Sequence, residues 1–153
     1  MNFNTQVCTN REQSERLLAM GLKKETADMI LFKTCDLPNY PFDYAFNQCP
    51  CSLINTRYVP MIKGETPYIQ AGSIPAWSLH RLMELCPMSI HLDSYADTHY
   101  YLRTTPFKVI YQKDDGCWLK MTYGGNIYDR MISMIEWLVN NNHLNKEYLE
   151  ETK

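Results

Sequence analysis

A hairpin followed by a long amphipathic helix limits the folds open to this chain more than any other feature. Two runs rich in β-branched and aromatic residues, 107–112 and 117–123, flank Lys113-Asp114-Asp115-Gly116, and Asp-Gly between such runs is a strong hairpin signal. After Gly124-Gly125, apolar residues recur at helical spacing up to Asn140. Because such a helix has to bury its apolar side, we expect it to pack on one sheet face.

The N-terminal and central parts of the chain predict three further helices. Thr9-Asn10-Arg11-Glu12 has the pattern of a capping box, and the helix that it opens is expected to end at Gly21. A short second helix is predicted over residues 24–32. A third is predicted from an N-cap at Ser73 to a stop at Pro87.

The predicted elements add up to an α+β fold. Short strands are expected at 89–92 and 100–104, beside the hairpin, in a small antiparallel sheet on which the C-terminal helix packs. The length of 153 residues suits one domain spanning 1–153. Residues 36–72 combine recurring prolines with many aromatic residues, which predicts an irregular segment packed onto that domain.

The charge balance argues against several classes of protein. The chain has 15 Lys+Arg and 17 Asp+Glu, a formal net charge of -2, and no basic run. Nucleic-acid binding is therefore not expected, because it draws on a positive field. The sequence has no window of eighteen uninterrupted apolar residues, which a membrane span would need. Its first twenty residues lack the apolar stretch of a signal peptide. We therefore expect a cytoplasmic location.

The six cysteines are interpreted as free thiols of a reducing compartment. Among the cysteines, Cys49-Pro50-Cys51 with Cys35 upstream is the pattern that suggests a metal site. One intervening residue is too short for the usual zinc-binding pair, and no second pair follows. We interpret these cysteines as packed side chains, and we predict no cofactor.

A cluster of histidine and aspartate is the first candidate site. His91, Asp93, Asp97 and His99 lie within nine residues. Two imidazoles and two carboxylates can converge on a divalent cation or share a proton, so the cluster predicts a metal-dependent hydrolase as one hypothesis. Loops are also rich in these residue types for turn formation and solvation alone, and that interpretation stays open.

Gly124-Gly125, between a predicted strand and a predicted helix, is the second candidate site. Backbone amides at a helix N-terminus can hold phosphate, and glycines permit close approach. This segment therefore predicts a module that binds a phosphate-bearing ligand. It lacks the GxGxxG and P-loop patterns, and Asp129 would repel an anion, so turn geometry is the alternative explanation.

The aromatic residues suggest a third kind of site. The chain has 11 Tyr and 3 Trp, and tyrosine is favoured at recognition surfaces. A candidate surface for a protein partner or a second copy of the chain consists of Tyr40, Tyr44, Tyr58, Tyr68, Tyr100 and Tyr101. Packing in the core and at its boundary is the alternative use of these rings.

Three segments together resemble a group of small uncharacterised proteins carried by gut anaerobic bacteria, their phages and other mobile elements. They are 12–18 with 21–29, then Ile74-Pro75-Ala76-Trp77-Ser78-Leu79 with Leu82, Leu85 and Pro87, then 118–123 with Met134-Ile135-Glu136-Trp137-Leu138. The resemblance implies a bacterial or phage setting and a small accessory protein, and it assigns no catalytic residue or cofactor. The leading hypothesis is thus a non-enzymatic interaction protein.

Overall fold

The computed structural model describes residues 6–32, 52–55, 74–92 and 98–151. In those ranges the chain has three α-helices and two antiparallel sheets, which confirms the α+β class. The helices are α1 (Arg11–Ala19), α2 (Leu79–Leu85) and α3 (Ile127–Asn140). The strands are β1 (Met29–Phe32), β2 (Ser52–Asn55), β3 (Ile74–Ala76), β4 (Ser89–His91), β5 (His99–Thr104), β6 (Lys108–Gln112) and β7 (Trp118–Tyr123).

The larger sheet has the order β4-β5-β6-β7, and its last two strands form the predicted hairpin. The Lys113 amide donates to the Cys117 carbonyl at 2.8 Å across the turn. Gly116 has a φ of 91°, a conformation that residues with a Cβ rarely adopt. The backbone conformation of the turn therefore favours the glycine of the Asp-Gly pair, and the hairpin prediction is confirmed.

Helix α3 covers one face of this sheet, as its spacing predicts. It packs on β6 and β7 and also contacts α1 and α2. Its inward residues are completely buried, and so are Val109 and Tyr111 on the sheet beneath them. These α3 residues are Met131, Ile132, Met134, Ile135 and Leu138. The main hydrophobic core therefore lies between α3 and the sheet, with α2 closing one side.

Two of the predicted helices are wrong in part. Residues 24–32 form a short 3-10 turn at Lys24–Thr26 and then strand β1, which pairs with both β2 and β3. The helix expected from Ser73 begins only after Ser78, since Ile74–Ala76 forms strand β3. Pairing between distant segments decides both cases, because local helix propensity is a weak preference that tertiary contacts override.

Pro75 suits the strand that replaces the predicted first turn. β3 is an edge strand of the sheet β2-β1-β3, and edges are where a sheet tolerates a residue without an amide proton. Ser78 then caps α2, and its hydroxyl accepts from the Arg81 amide at 3.2 Å. Helix α2 therefore begins a few residues later than predicted, and the fold contains a second sheet.

The capping box of α1 lies one residue later than expected. Asn10 accepts from the Gln13 amide at 2.9 Å, and Gln13 accepts from the Asn10 amide at 3.0 Å. Thr9 is instead buried, and its hydroxyl accepts from the Trp77 amide at 2.9 Å. The helix ends before Gly21, whose φ of 87° confirms the predicted stop.

The two ends of the described chain are joined by polar contacts. Gln13 donates to Asp129 at 2.5 Å, Arg16 pairs with Glu136, and the Glu150 amide donates to the Gly21 carbonyl at 2.8 Å. The predicted irregular segment at 36–72 lies outside the described residues, apart from β2. In the described ranges, no helix has the length and apolar character needed to cross a bilayer.

Candidate functional site

The larger sheet has one face under α3 and an opposite face, which we call the outer face. Side chains alternate along a strand, so residues that neighbour the core positions Ile90, Leu102, Val109 and Tyr111 point to the opposite side. The outer face consists of Ser89, His91, His99, Tyr101, Arg103, Lys108, Ile110, Gln112, Trp118, Met121 and Tyr123.

A β-bulge brings Trp118 to the outer face. Lys120 pairs with Tyr111 but Trp118 pairs with Gln112, so Leu119 has no partner in the β6–β7 register. Leu119 packs against the main core, while Trp118 is 59% exposed. Strict alternation would have placed Trp118 on the same side as Lys120, so the sequence pattern alone misassigns this tryptophan.

Exposed aromatic rings lie on both sides of a buried isoleucine on this face. Tyr101, Gln112 and Trp118 form one row across β5, β6 and β7. Tyr123, paired with Lys108, lies at the other end of β7. Ile110 between them is 2% exposed, whereas Tyr101 is 42% and Tyr123 78% exposed. The outer face therefore presents an apolar strip that crosses three strands.

Two imidazoles lie next to this row, at the edge of the sheet. Ser89 of β4 is opposite Tyr101, and His91 and His99 are opposite each other in the neighbouring row. Their ring centroids are 4.8 Å apart with an interplanar angle of 34°, and both residues are exposed. The centroid of the Tyr101 ring is 6.2 Å from that of His99, at an interplanar angle of 26°. The three rings are thus neighbours at this corner of the sheet.

The charge of the outer face is positive. Among its described residues, the ionisable groups other than tyrosine are His91, His99, Arg103 and Lys108. Arg103 is paired with Asp114 of the hairpin turn at 2.7 Å. The face therefore combines aromatic area with a weak positive charge that is partly neutralised by its own turn.

The structure separates the two neighbouring tyrosines of the predicted interaction surface. Tyr100 packs against the core, with the Lys113 ammonium 5.1 Å from its ring centroid, while Tyr101 faces outward. These two side chains therefore do not share one surface. The other tyrosines of that predicted surface, Tyr40, Tyr44, Tyr58 and Tyr68, lie outside the described residues.

The predicted metal cluster is brought together only in part. His91 and His99 meet across the strands, whereas Asp93 and Asp97 lie outside the described residues. Within the described ranges, no group of three or more His, Cys, Asp and Glu side chains is arranged to hold a metal ion. A hydrolase built on all four residues therefore stays a prediction. Cys35, Cys49 and Cys51 also lie outside the described residues.

The glycine pair before α3 is engaged by protein groups. Arg130 donates to the carbonyls of Gly124 and Gly125 at 3.3 and 2.8 Å. The Asp129 carboxylate accepts from the Asn126 amide at 3.0 Å and lies 2.8 Å from where a Cβ at Gly125 would be. A carboxylate already neutralises this helix start, so the geometry does not favour a phosphate ligand there.

Buried thiol and phenol groups do not favour nucleophilic chemistry. Burial raises the pKa of the Cys86 thiol to about 12, and it raises the pKa of the Cys8 thiol to about 11, with the charge of Asp28 as a further cause. Burial also raises the pKa of Tyr111, whose hydroxyl donates to the Pro87 carbonyl at 2.6 Å. The thiolate is the reactive form of cysteine, so these groups are structural.

An apolar cavity of about 280 Å³ lies between α2 and β5. It is lined by His80, Met83, Glu84, Cys86, Met88, Leu102 and Thr104. The His80 imidazole is 3.0 Å from the Glu84 carboxylate at its rim. This cavity is away from the outer face, and its exposed Met88 provides a useful control position.

No protein-family model matches this chain, and comparisons with curated proteins and with solved structures found no match either.

Proposed function

We propose that this is a non-enzymatic accessory protein that binds a partner protein through the outer face of its larger sheet. The observation behind the proposal is the exposure of Tyr101, Trp118 and Tyr123 around the buried Ile110. Aromatic side chains bury a large area at low entropic cost, and they dominate binding energy where they cluster. Apolar area of this kind, gathered on one face, is typical of a recognition surface.

The size of the face favours a partner segment over a second copy of the chain. Strand spacing of about 4.8 Å and a rise of about 3.4 Å per residue give a four-stranded face of about 330 Å². Two copies packed through it would bury about 650 Å² in total, below the roughly 1,200 Å² of stable interfaces. The face therefore suits a transient contact with one segment of another protein.

Charge indicates the chemistry of that segment. The ionisable side chains of the face, tyrosines aside, are His91, His99, Arg103 and Lys108, so acidic residues on the partner would be complementary. Nucleic acid is disfavoured because the chain has a net charge of -2 and Arg103 is already paired with Asp114. We infer an apolar segment that also carries acidic residues.

The setting that we propose is the cytoplasm of a bacterial or phage-infected cell. The resemblance to proteins of gut anaerobes and their phages supports it. So do the buried free thiols of Cys8 and Cys86, because such thiols persist in reducing compartments.

Selection from a random peptide library on the immobilised protein tests the proposal. We expect enriched peptides to combine apolar and acidic residues, and Trp118→Ala to weaken their binding about thirtyfold or more, as loss of a hot-spot residue does. Met88→Ala is the matched control, because Met88 is 86% exposed but lies away from the outer face. It should leave the affinity unchanged.

Three outcomes would contradict the proposal. One is equal binding of enriched peptides to wild type and Trp118→Ala. The second is a stable dimer in light scattering that Trp118→Ala dissociates, which would make the partner a second copy. The third is binding of single-stranded oligonucleotides of mixed sequence that weakens steeply with salt, which would make the ligand a nucleic acid.

A further inference from the structure

We propose that His91 and His99 form a binding site for a divalent transition-metal ion on the edge of the larger sheet. The proposal does not depend on the protein-binding role of the outer face. It concerns ions that prefer nitrogen ligands, namely Zn²⁺, Ni²⁺ and Cu²⁺, and excludes Mg²⁺ and Ca²⁺, which prefer oxygen.

Strand pairing brings the two imidazoles close enough to share one ion. Side chains directly opposite each other in an antiparallel pair have Cβ atoms about 4.5–5.5 Å apart, and His91 faces His99 in this way. Their ring centroids are 4.8 Å apart, so the two side chains are as close at the rings as at the Cβ atoms. Since a zinc–nitrogen bond is about 2.0–2.1 Å long and zinc prefers tetrahedral angles, one ion holds two nitrogens about 3.4 Å apart. Rings with centroids 4.8 Å apart reach this separation when their nitrogens turn toward each other.

The backbone holds this pair in place without a metal. On the opposite side of β4, Ile90 is buried in the main core, and it pairs in register with Tyr100 of β5. The strand register therefore fixes the backbone positions of both ligands before an ion binds, and preorganised ligands of this kind lower the entropic cost of binding.

Two imidazoles leave coordination positions of the ion open. Structural zinc sites have four ligands, so the remaining positions of an ion held here are available to water or to a donor from another molecule. Both histidines are exposed, so an ion enters from solution. Once bound, it connects the three-residue strand β4 to β5 and stabilises the folded state.

The chain provides its own controls in His80 and His143. His80 is an exposed imidazole 3.0 Å from Glu84 on α2, and His143 lies 5.3 Å from the Trp137 ring after α3. Each lies next to another side chain, but among the described residues neither faces a second imidazole across a strand pair. Variants at these two positions therefore distinguish metal binding by the cross-strand pair from metal binding by any accessible histidine.

Titration with Zn²⁺ alone, followed by calorimetry and by NMR of the histidine ring nitrogens, tests the site. We expect one ion per chain, with the rings of His91 and His99 responding together at equimolar metal. His91→Ala and His99→Ala should each weaken binding by more than tenfold, since loss of even an outer-shell partner costs about that much. His80→Ala should change the affinity less than twofold.

The Cu²⁺ complex gives an independent readout, because electron paramagnetic resonance counts the imidazole nitrogens bound to the ion. Two nitrogens in the wild type and one in His99→Ala support the site, and Cu²⁺ should bind more tightly than Zn²⁺. Circular dichroism establishes that each variant is folded. Equal Zn²⁺ affinity of wild type and His91→Ala would overturn the proposal, as would a response of His80 without His91 and His99.

Discussion

The two faces of the larger sheet are built from the same strands, but burial accounts for the large apolar side chains of only one of them. On the face under α3, Val109 and Tyr111 are completely buried against helix residues such as Ile135. On the outer face, Trp118 and Tyr123 are mostly exposed. Burial explains every large apolar residue of the first face, but it does not explain the rings of the second. Under the proposed function the exposed rings bind a partner, so substitutions on the outer face should weaken binding and substitutions on the covered face should lower stability.

The largest loss of stability is expected on the covered face. Ile135 is completely buried between α3 and the sheet, so Ile135→Ala should lower the free energy of unfolding by about 2–5 kcal/mol through lost burial and a cavity. Urea denaturation followed by circular dichroism measures it. Ile135→Val is the control, with an expected loss of about 0.5–1.5 kcal/mol. A loss from Ile135→Ala no larger than this would mean that the contact between α3 and the sheet is loose.

Arg130 tests how the β5–β6 turn and the end of β7 are held. It is buried, and it donates to the carbonyls of Gly124, Gly125 and Pro106. Arg130→Met keeps most of the side-chain volume but removes this donor. We expect the free energy of unfolding to fall by about 1.5–3 kcal/mol, the usual contribution of hydrogen bonds from a charged group. An unchanged urea midpoint would contradict this role.

Alkaline pH should destabilise the covered face in particular. Burial raises the pKa of Cys86 from an ordinary 9.0 to about 12, and that of Tyr111 in the same direction. The folded chain thus holds these protons more tightly than the unfolded chain, so the free energy of unfolding falls as pH rises above 9. Between pH 9 and 10 we expect a loss of about 1 kcal/mol.

Cys86→Ala is the matched variant for this pH dependence. It removes one of the groups whose pKa is raised by burial, so its stability should fall less steeply with pH above 9, although it starts from a lower value because of the cavity. Urea titrations at successive pH values give the slope. A slope equal to that of the wild type would show that the Cys86 thiol does not contribute.

The smallest effect on stability is expected on the outer face. Trp118→Ala should change the free energy of unfolding by no more than about 0.5 kcal/mol, as for most exposed positions, while it removes the binding of selected peptides. The same pair of measurements on Ile135→Val should give the reverse pattern. If Trp118→Ala destabilised the fold as much as Ile135→Ala, the tryptophan would be a packing residue and the contrast between the faces would disappear.

Much of the fold can be predicted from the sequence where local chemistry and long-range packing agree. The hairpin turn at Gly116 and the helix stop at Gly21 each follow from a residue that the backbone geometry requires. Helix α3 follows from its apolar spacing. In all of these cases, the information lies within a few residues of the feature that it specifies.

The remaining features depend on contacts between distant segments. Met29–Phe32 becomes a strand because β2 and β3 pair with it, and those strands lie more than twenty residues away along the chain. The position of Trp118 depends on a bulge, which has no residue signature in this hairpin. The sequence predicts His91 and His99 as members of one cluster, but the face on which they lie and their spacing depend on the strand register.

The contacts that join the two ends of the described chain set the order in which this fold can be completed. Helix α1 meets α3 through Gln13 and Asp129, which are 116 residues apart in sequence, and Leu22 bridges to Leu149. Such long-range closures are entropically costly and slow folding. During synthesis, α1 can contact β3 first, but its contact with α3 forms only once α3 has left the ribosome, so the side of α1 that faces α3 stays uncovered until then.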